Sequence, residues 1–157
     1  MMNEMKDFGD HQECPSIDGI VFPTGEIQQI DVDVDWGPPV SYRLKLGTKT
    51  TVNELKNNQQ LYWSDCAILA RMIDKEGQIE VVAGESDHGS DGFVAVMSNK
   101  SKNLKWIAFF TCSNPFSKLE INNNQILATS TLGTTWIFSI KEPESVVIKY
   151  HPGERKE

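Results

Sequence analysis

The chain predicts a mainly β fold: an antiparallel meander forming a sandwich, a partly open barrel or a strongly curled sheet, with one short helix near residues 52–59. Three observations carry this. From Ile17 onward apolar residues recur mostly with a period of two, which places alternate side chains on one face of a strand. Clusters of turn residues separate the apolar runs: Gly37-Pro38-Pro39, Asp74 to Gly77, Ser98 to Asn103 and Asn122 to Asn124. No long helical stripe alternates with the strands, so a βαβ organisation is excluded, and no repeat supports a propeller.

The elements follow in order. Ile20 to Phe22 is a short strand and Ile27 to Trp36 a long one, ended where proline can no longer donate to a ladder. Residues 41–46 alternate cleanly, with Tyr42, Leu44 and Leu46 on one face and Arg43 and Lys45 on the other. Thr51-Val52-Asn53-Glu54 matches a capping box, in which threonine caps a helix and the glutamate three positions on reaches back. Asn57, Asn58, Gln59 and Gln60 weaken that helix and keep it short. Residues 66–73 and 79–83 read as a hairpin closed by Asp74 to Gly77. Further strands are expected over 92–97, 104–110, 116–121, 126–131, 136–140 and 145–150. Trp63, Trp106 and Trp136 read as core or half-buried packing.

With 157 residues, the chain is the size of one domain and can bury a core without staples. The expected division is a flexible acidic leader over 1–16, a single β-rich domain over 17–152 and a frayed tail over 153–157. The polar, acidic start does not resemble a signal peptide, and no apolar run is long enough to cross a bilayer as a helix. Three cysteines without paired spacing fit a reducing compartment, so the expected location is cytoplasmic.

Charge is unevenly spread. Residues 1–35 hold nine acids and one base, giving 1 − 9 = −8, while the remainder holds thirteen acids and fourteen bases, giving +1. An acidic field of this kind repels nucleic acid and attracts a basic protein. Its densest part is Asp31-Val32-Asp33-Val34-Asp35. As a strand, this stretch sets three carboxylates on one face at intervals of about 7 Å and turns Val32, Val34 and Trp36 toward the core. Such a row repels itself unless water or something basic faces it, and that cost is the sharpest hint of function in the chain. A calcium loop does not fit, because Trp36 stands where the sharp turn needs glycine and Tyr42 where a bidentate glutamate is needed.

The second polar stretch, ESDHGSDG over residues 85–92, supplies the residue types of a hydrolase triad in Asp87, His88 and Ser90. No Gly-x-Ser-x-Gly elbow accompanies it, and His11, His88 and His151 share no zinc-binding spacing. Gly, Asp and Ser are also the residues that a loop between two strands uses for its turns. No cofactor or metal is implied, and a phosphate loop is excluded by the missing Lys-Ser/Thr pair.

The leading expectation is therefore a small acidic interaction protein, in its most specific form an immunity protein or inhibitor that neutralises a basic toxin or nuclease. Its partner-binding residues would be Glu26, Asp31, Asp33, Asp35, Trp36, Trp63, Asp87 and Asp91. The first alternative is a hydrolase or metal-assisted enzyme using Asp87, His88 and Asp91; the second is a β barrel that binds a small ligand.

Overall fold

The computed structural model describes residues 13–86 and 89–149. Residues 1–12 of the expected leader, the frayed tail, His11, Asp87, His88 and His151 lie outside the described residues. Within them run β1 (Glu13–Pro15), β2 (Gly19–Val21), β3 (Glu26–Asp35), β4 (Ser41–Thr51), α1 (Val52–Asn57) and β5 (Trp63–Ile73). They continue with β6 (Ile79–Ser86), β7 (Gly92–Ser98), β8 (Leu104–Phe110), β9 (Phe116–Asn122), β10 (Gln125–Ser130), β11 (Thr135–Ser139) and β12 (Val147–Lys149). A 3-10 turn over Pro143–Ser145 precedes β12.

All pairings are antiparallel. An eight-stranded sheet has the order β1-β5-β6-β7-β8-β2-β3-β4, and a four-stranded sheet has the order β12-β11-β10-β9. The larger sheet ends at β1 and β4 without closing, so the fold is a sandwich with a curled major sheet and not a closed barrel.

Two apolar clusters lie on opposite faces of the larger sheet. The first, between the sheets, gathers Ile20, Val94, Val96, Phe110, Phe116, Trp136 and Phe138. The second is covered by α1 and the segment from β1 to β2, and holds Ile17, Val52, Leu55, Phe93, Ile107 and Phe109. Strands β6, β7 and β8 are therefore buried on both faces, which explains why their sequences read as near-continuous apolar runs. Each fully buried Phe or Val in them contributes roughly 1.5–3 kcal/mol. Trp106 and Trp136 are core residues as expected, and the Trp106 Nε1–H donates to the Ile140 carbonyl at 2.8 Å.

Four details depart from the sequence reading. Glu13–Pro15, placed by sequence in the leader, forms β1 against the start of β5, with Cys14 fully buried. Three residues are too few for a period to show. β4 runs on from Leu46 to Thr51 because a bulge absorbs the break in alternation: Gln28 faces Lys49 and Ile30 faces Leu46, so β4 advances three residues while β3 advances two. The helix stops at Asn57. Only half of its capping box forms: the Thr51 hydroxyl accepts from the Glu54 N–H, while the Glu54 carboxylate accepts from the Thr50 hydroxyl instead of reaching back. Trp36, expected to face the core, is 53% exposed, because the strand ends at Asp35 and the chain has already turned.

Candidate functional site

The β3–β4 hairpin brings together four of the residues singled out from sequence. Ile30, Val32 and Val34 pack toward the core between the sheets, so alternation turns Asp31, Asp33 and Asp35 to the other face, where all three are exposed. Directly across the ladder stand two cations of β4: Asp31 faces Lys45 and Asp33 faces Arg43, while Asp35 faces Ser41. Arg43 Nη2 lies 3.1 Å from Asp33 Oδ2, and both side chains are largely in water. The basic groups that the acidic row requires are thus supplied by the next strand. Three acids and two bases leave this face at 2 − 3 = −1.

The hairpin is anchored close to its tip, by the residue paired with Val34 one step before the last pair. The Tyr42 hydroxyl donates to the Cys112 carbonyl at 3.1 Å, and its ring packs edge-on against Trp136 at 5.1 Å. At the tip, Asp35 Oδ1 accepts from the Gly37 N–H at 3.1 Å. Gly37 has φ +67°, and a Cβ there would meet the Pro39 carbonyl oxygen at 2.1 Å, so only glycine makes this turn. The turn leaves Trp36, Pro38 and Pro39 exposed together. Asp33, Asp35, Trp36, Ser41 and Arg43 line one polar cleft beside them.

Asp18 is a neighbour that sequence reasoning did not single out. Its carboxylate accepts from the Thr111 N–H at 2.7 Å and from the Thr111 hydroxyl at 3.1 Å. Burial pushes its pKa above the ordinary 3.8, against the pull of the Thr111 bonds, and the Asp31 charge adds to the rise. The signal that could have found it is absent from any local window, because Thr111 lies 93 residues away.

Comparison with family models, curated proteins and solved structures finds no match. The molecule's own geometry therefore carries the functional reading.

The remaining predicted site residues lie elsewhere. Glu26 is on the face of β3 opposite the three aspartates, in an open cleft of about 490 Å³ with Phe22, Lys49, Glu54 and Glu144. The bulge in β4 is what sends Lys49 to that face and Lys45 to the other. Trp63 packs at the edge of the second core, on β5, with four strands between it and β3 in the sheet order. Asp91 is only 3% exposed: it accepts from the Ser86 N–H at 2.8 Å and, in a short contact, from the Ser86 hydroxyl. Its carboxylate closes the β6–β7 loop on itself. Among the described residues no three His, Cys, Asp or Glu side chains stand together as a metal site, and no helix is long and apolar enough to cross a membrane.

Proposed function

We propose that the chain is a protein-binding module that docks its partner on the β3–β4 hairpin. The observation that carries this is Trp36, a large aromatic more than half exposed at the tip of a hairpin that Tyr42 anchors to the core close to that tip. Tryptophan is enriched among the few residues that dominate interface energies. Exposing it here serves no packing need of this fold.

The narrower form is an immunity protein or inhibitor acting in the cytoplasm on a basic toxin or nuclease, with Asp31, Asp33 and Asp35 as its charged contacts. Three carboxylates on one exposed face support it; Arg43 and Lys45 across the ladder count against it. The enzyme reading has less support, since Asp91 is occupied within its own loop. The ligand-barrel reading has less as well, since the sheet is open and both cores are filled by side chains.

The test is capture of partners from source cells by tagged wild type, by Trp36→Ala and by the triple change of Asp31, Asp33 and Asp35 to Lys. A stoichiometric partner lost with Trp36→Ala is expected. Equal retention by Trp36→Ala would remove the hairpin as the docking element. Loss of a basic partner in the triple variant alone would assign the contact to the acidic row.

A further inference from the structure

We infer that the cleft at the start of the β3–β4 ladder binds a primary ammonium group carried on a short alkyl chain, with Gln28 Oε1 accepting its hydrogen bond and Glu26 and Glu144 supplying the opposite charge. The cleft lies at the end of the ladder away from the Gly37 turn, so this site and the docking role of the hairpin tip stand independently of each other.

A single oxygen carries the inference. Gln28 is only 7% exposed. Its Nε2 donates to the Gln29 and Gly47 carbonyls, at 3.0 Å each. Two carbonyl acceptors fix which end of the amide holds the nitrogen, because neither could receive a bond from an oxygen. They also give the reason the side chain is held here, since Gly47 lies in the bulge of β4 and the amide satisfies its carbonyl. Oε1 is left over, and no donor among the described residues reaches it. It is not sealed in the interior: the enclosed polar atoms without a partner among the described residues are Ser64 Oγ and Trp136 Nε1. Gln28 lines the open cleft, which is the route by which a donor arrives. A largely buried acceptor without a donor carries a free-energy cost that a ligand relieves by supplying one.

The charge of the cleft selects the donor. Glu26, Glu54 and Glu144 line it with one base, Lys49, giving 1 − 3 = −2 among the described residues. Glu54 already accepts from the Thr50 hydroxyl. Glu26 and Glu144 form no ion pair among the described residues, and Lys49, directly across the ladder from Gln28, forms none either. An alkylammonium ion brings three N–H donors and no acceptor, so it serves an amide oxygen and two carboxylates together. A metal ion fits less well, because no three His, Cys, Asp or Glu side chains among the described residues stand close enough to hold one. The half-buried Phe22 and the buried Ile27 give the cleft an apolar wall for the alkyl chain. A free aliphatic amine and the lysine side chain of a partner protein offer the same chemistry.

The test is a titration of the full chain at low ionic strength, read by the backbone and side-chain amide resonances. The probes are n-butylamine, its N,N,N-trimethyl analogue, butyrate, calcium chloride and Nα-acetyl-lysine N-methylamide. Butylamine should shift the Gln28 side-chain amide saturably at millimolar concentration. The trimethyl analogue keeps the charge but cannot donate, and should bind at least about tenfold more weakly. Glu26→Gln with Glu144→Gln, shown by its amide spectrum to be folded, should weaken butylamine by about tenfold, and Lys49→Gln should bind it more tightly. The inference is overturned if the Gln28 side chain does not respond, if the trimethyl analogue or butyrate binds as well, if the double variant binds unchanged, if Lys49→Gln binds more weakly, or if calcium displaces the amine at equal concentration. Tighter binding of the blocked lysine than of butylamine assigns the ammonium to a partner's lysine, and the reverse order assigns it to a free amine.

Discussion

Glu80 offers the most quantitative test of how this sandwich is held together. Its carboxylate is 4% exposed yet meets two cations: Arg71 Nη1 at 2.5 Å from Oε2 and Lys102 Nζ at 2.8 Å from Oε1. The contact ties β5, β6 and the β7–β8 turn together. Burial alone would raise the pKa of Glu80, but the bonds from Lys102 and Arg71 outweigh it and hold the group below its ordinary 4.5. Charge-assisted bonds contribute roughly 1.5–3 kcal/mol each. In Glu80→Gln both cations, about half exposed, recover water, and the glutamine oxygen still accepts one bond. The expected cost is therefore about 2 kcal/mol at neutral pH. Removing both cations instead, by Arg71→Ala with Lys102→Ala, leaves a buried charge without a partner and should cost about 3–5 kcal/mol. The assay is urea unfolding at a series of pH values. A lowered folded pKa means that the contribution is present above the unfolded value of 4.5 and is lost as pH falls through the folded one. The gap between wild type and Glu80→Gln should thus close as the solution becomes acidic. A gap that stays constant with pH, or one below about 0.5 kcal/mol at neutrality, would refute the assignment of this energy to the ionised triad.

Two further predictions concern stability. Asp91→Ala should cost about 2–3 kcal/mol in the same unfolding assay, because the Ser86 N–H and hydroxyl lose a buried acceptor; a loss under about 0.5 kcal/mol would mean that the loop re-forms without it. Asp18 has the opposite sign from Glu80. Its raised folded pKa means that its contribution is present below the unfolded value of 3.8 and is lost as pH rises through the folded one. Asp18→Asn should therefore gain on wild type as pH rises from below 3.8 through the folded pKa, and a difference that does not move with pH would contradict the burial of that carboxyl.

Much of the architecture was legible because it is written in short windows. The Asp74 to Gly77 turn works through Asp74 Oδ1, which accepts from the N–H groups of Gln78 and Ile79 at 2.7 and 3.1 Å. The Thr51 cap works through a hydroxyl three residues from its donor. The site was only partly legible. Alternation correctly put Asp31, Asp33 and Asp35 on one face, but β4 proved to set Lys45 and Arg43 opposite two of the three, which lowers the apparent cost of that row. Glu26, five residues from Asp31, looked like part of the same acidic patch, yet its even spacing from Ile30 sets it on the other side of the sheet.

The sequence by itself determined where strands exist, where they turn and which residues of each share a face, since all of these follow from φ, ψ preferences and a period of two. Only the tertiary structure decided which strands are neighbours. That β5 follows β1, that β2 lies between β8 and β3, and that Arg43 and Lys45 answer Asp33 and Asp31 are matters of pairing and register. They depend on which segments meet and on a bulge at residues 47–48, where Gly47 and the broken alternation mark an irregularity without giving its register. The exposure of Trp36 was decided in the same way, by the turn at Gly37 carrying the chain away from the core before the tryptophan could reach it.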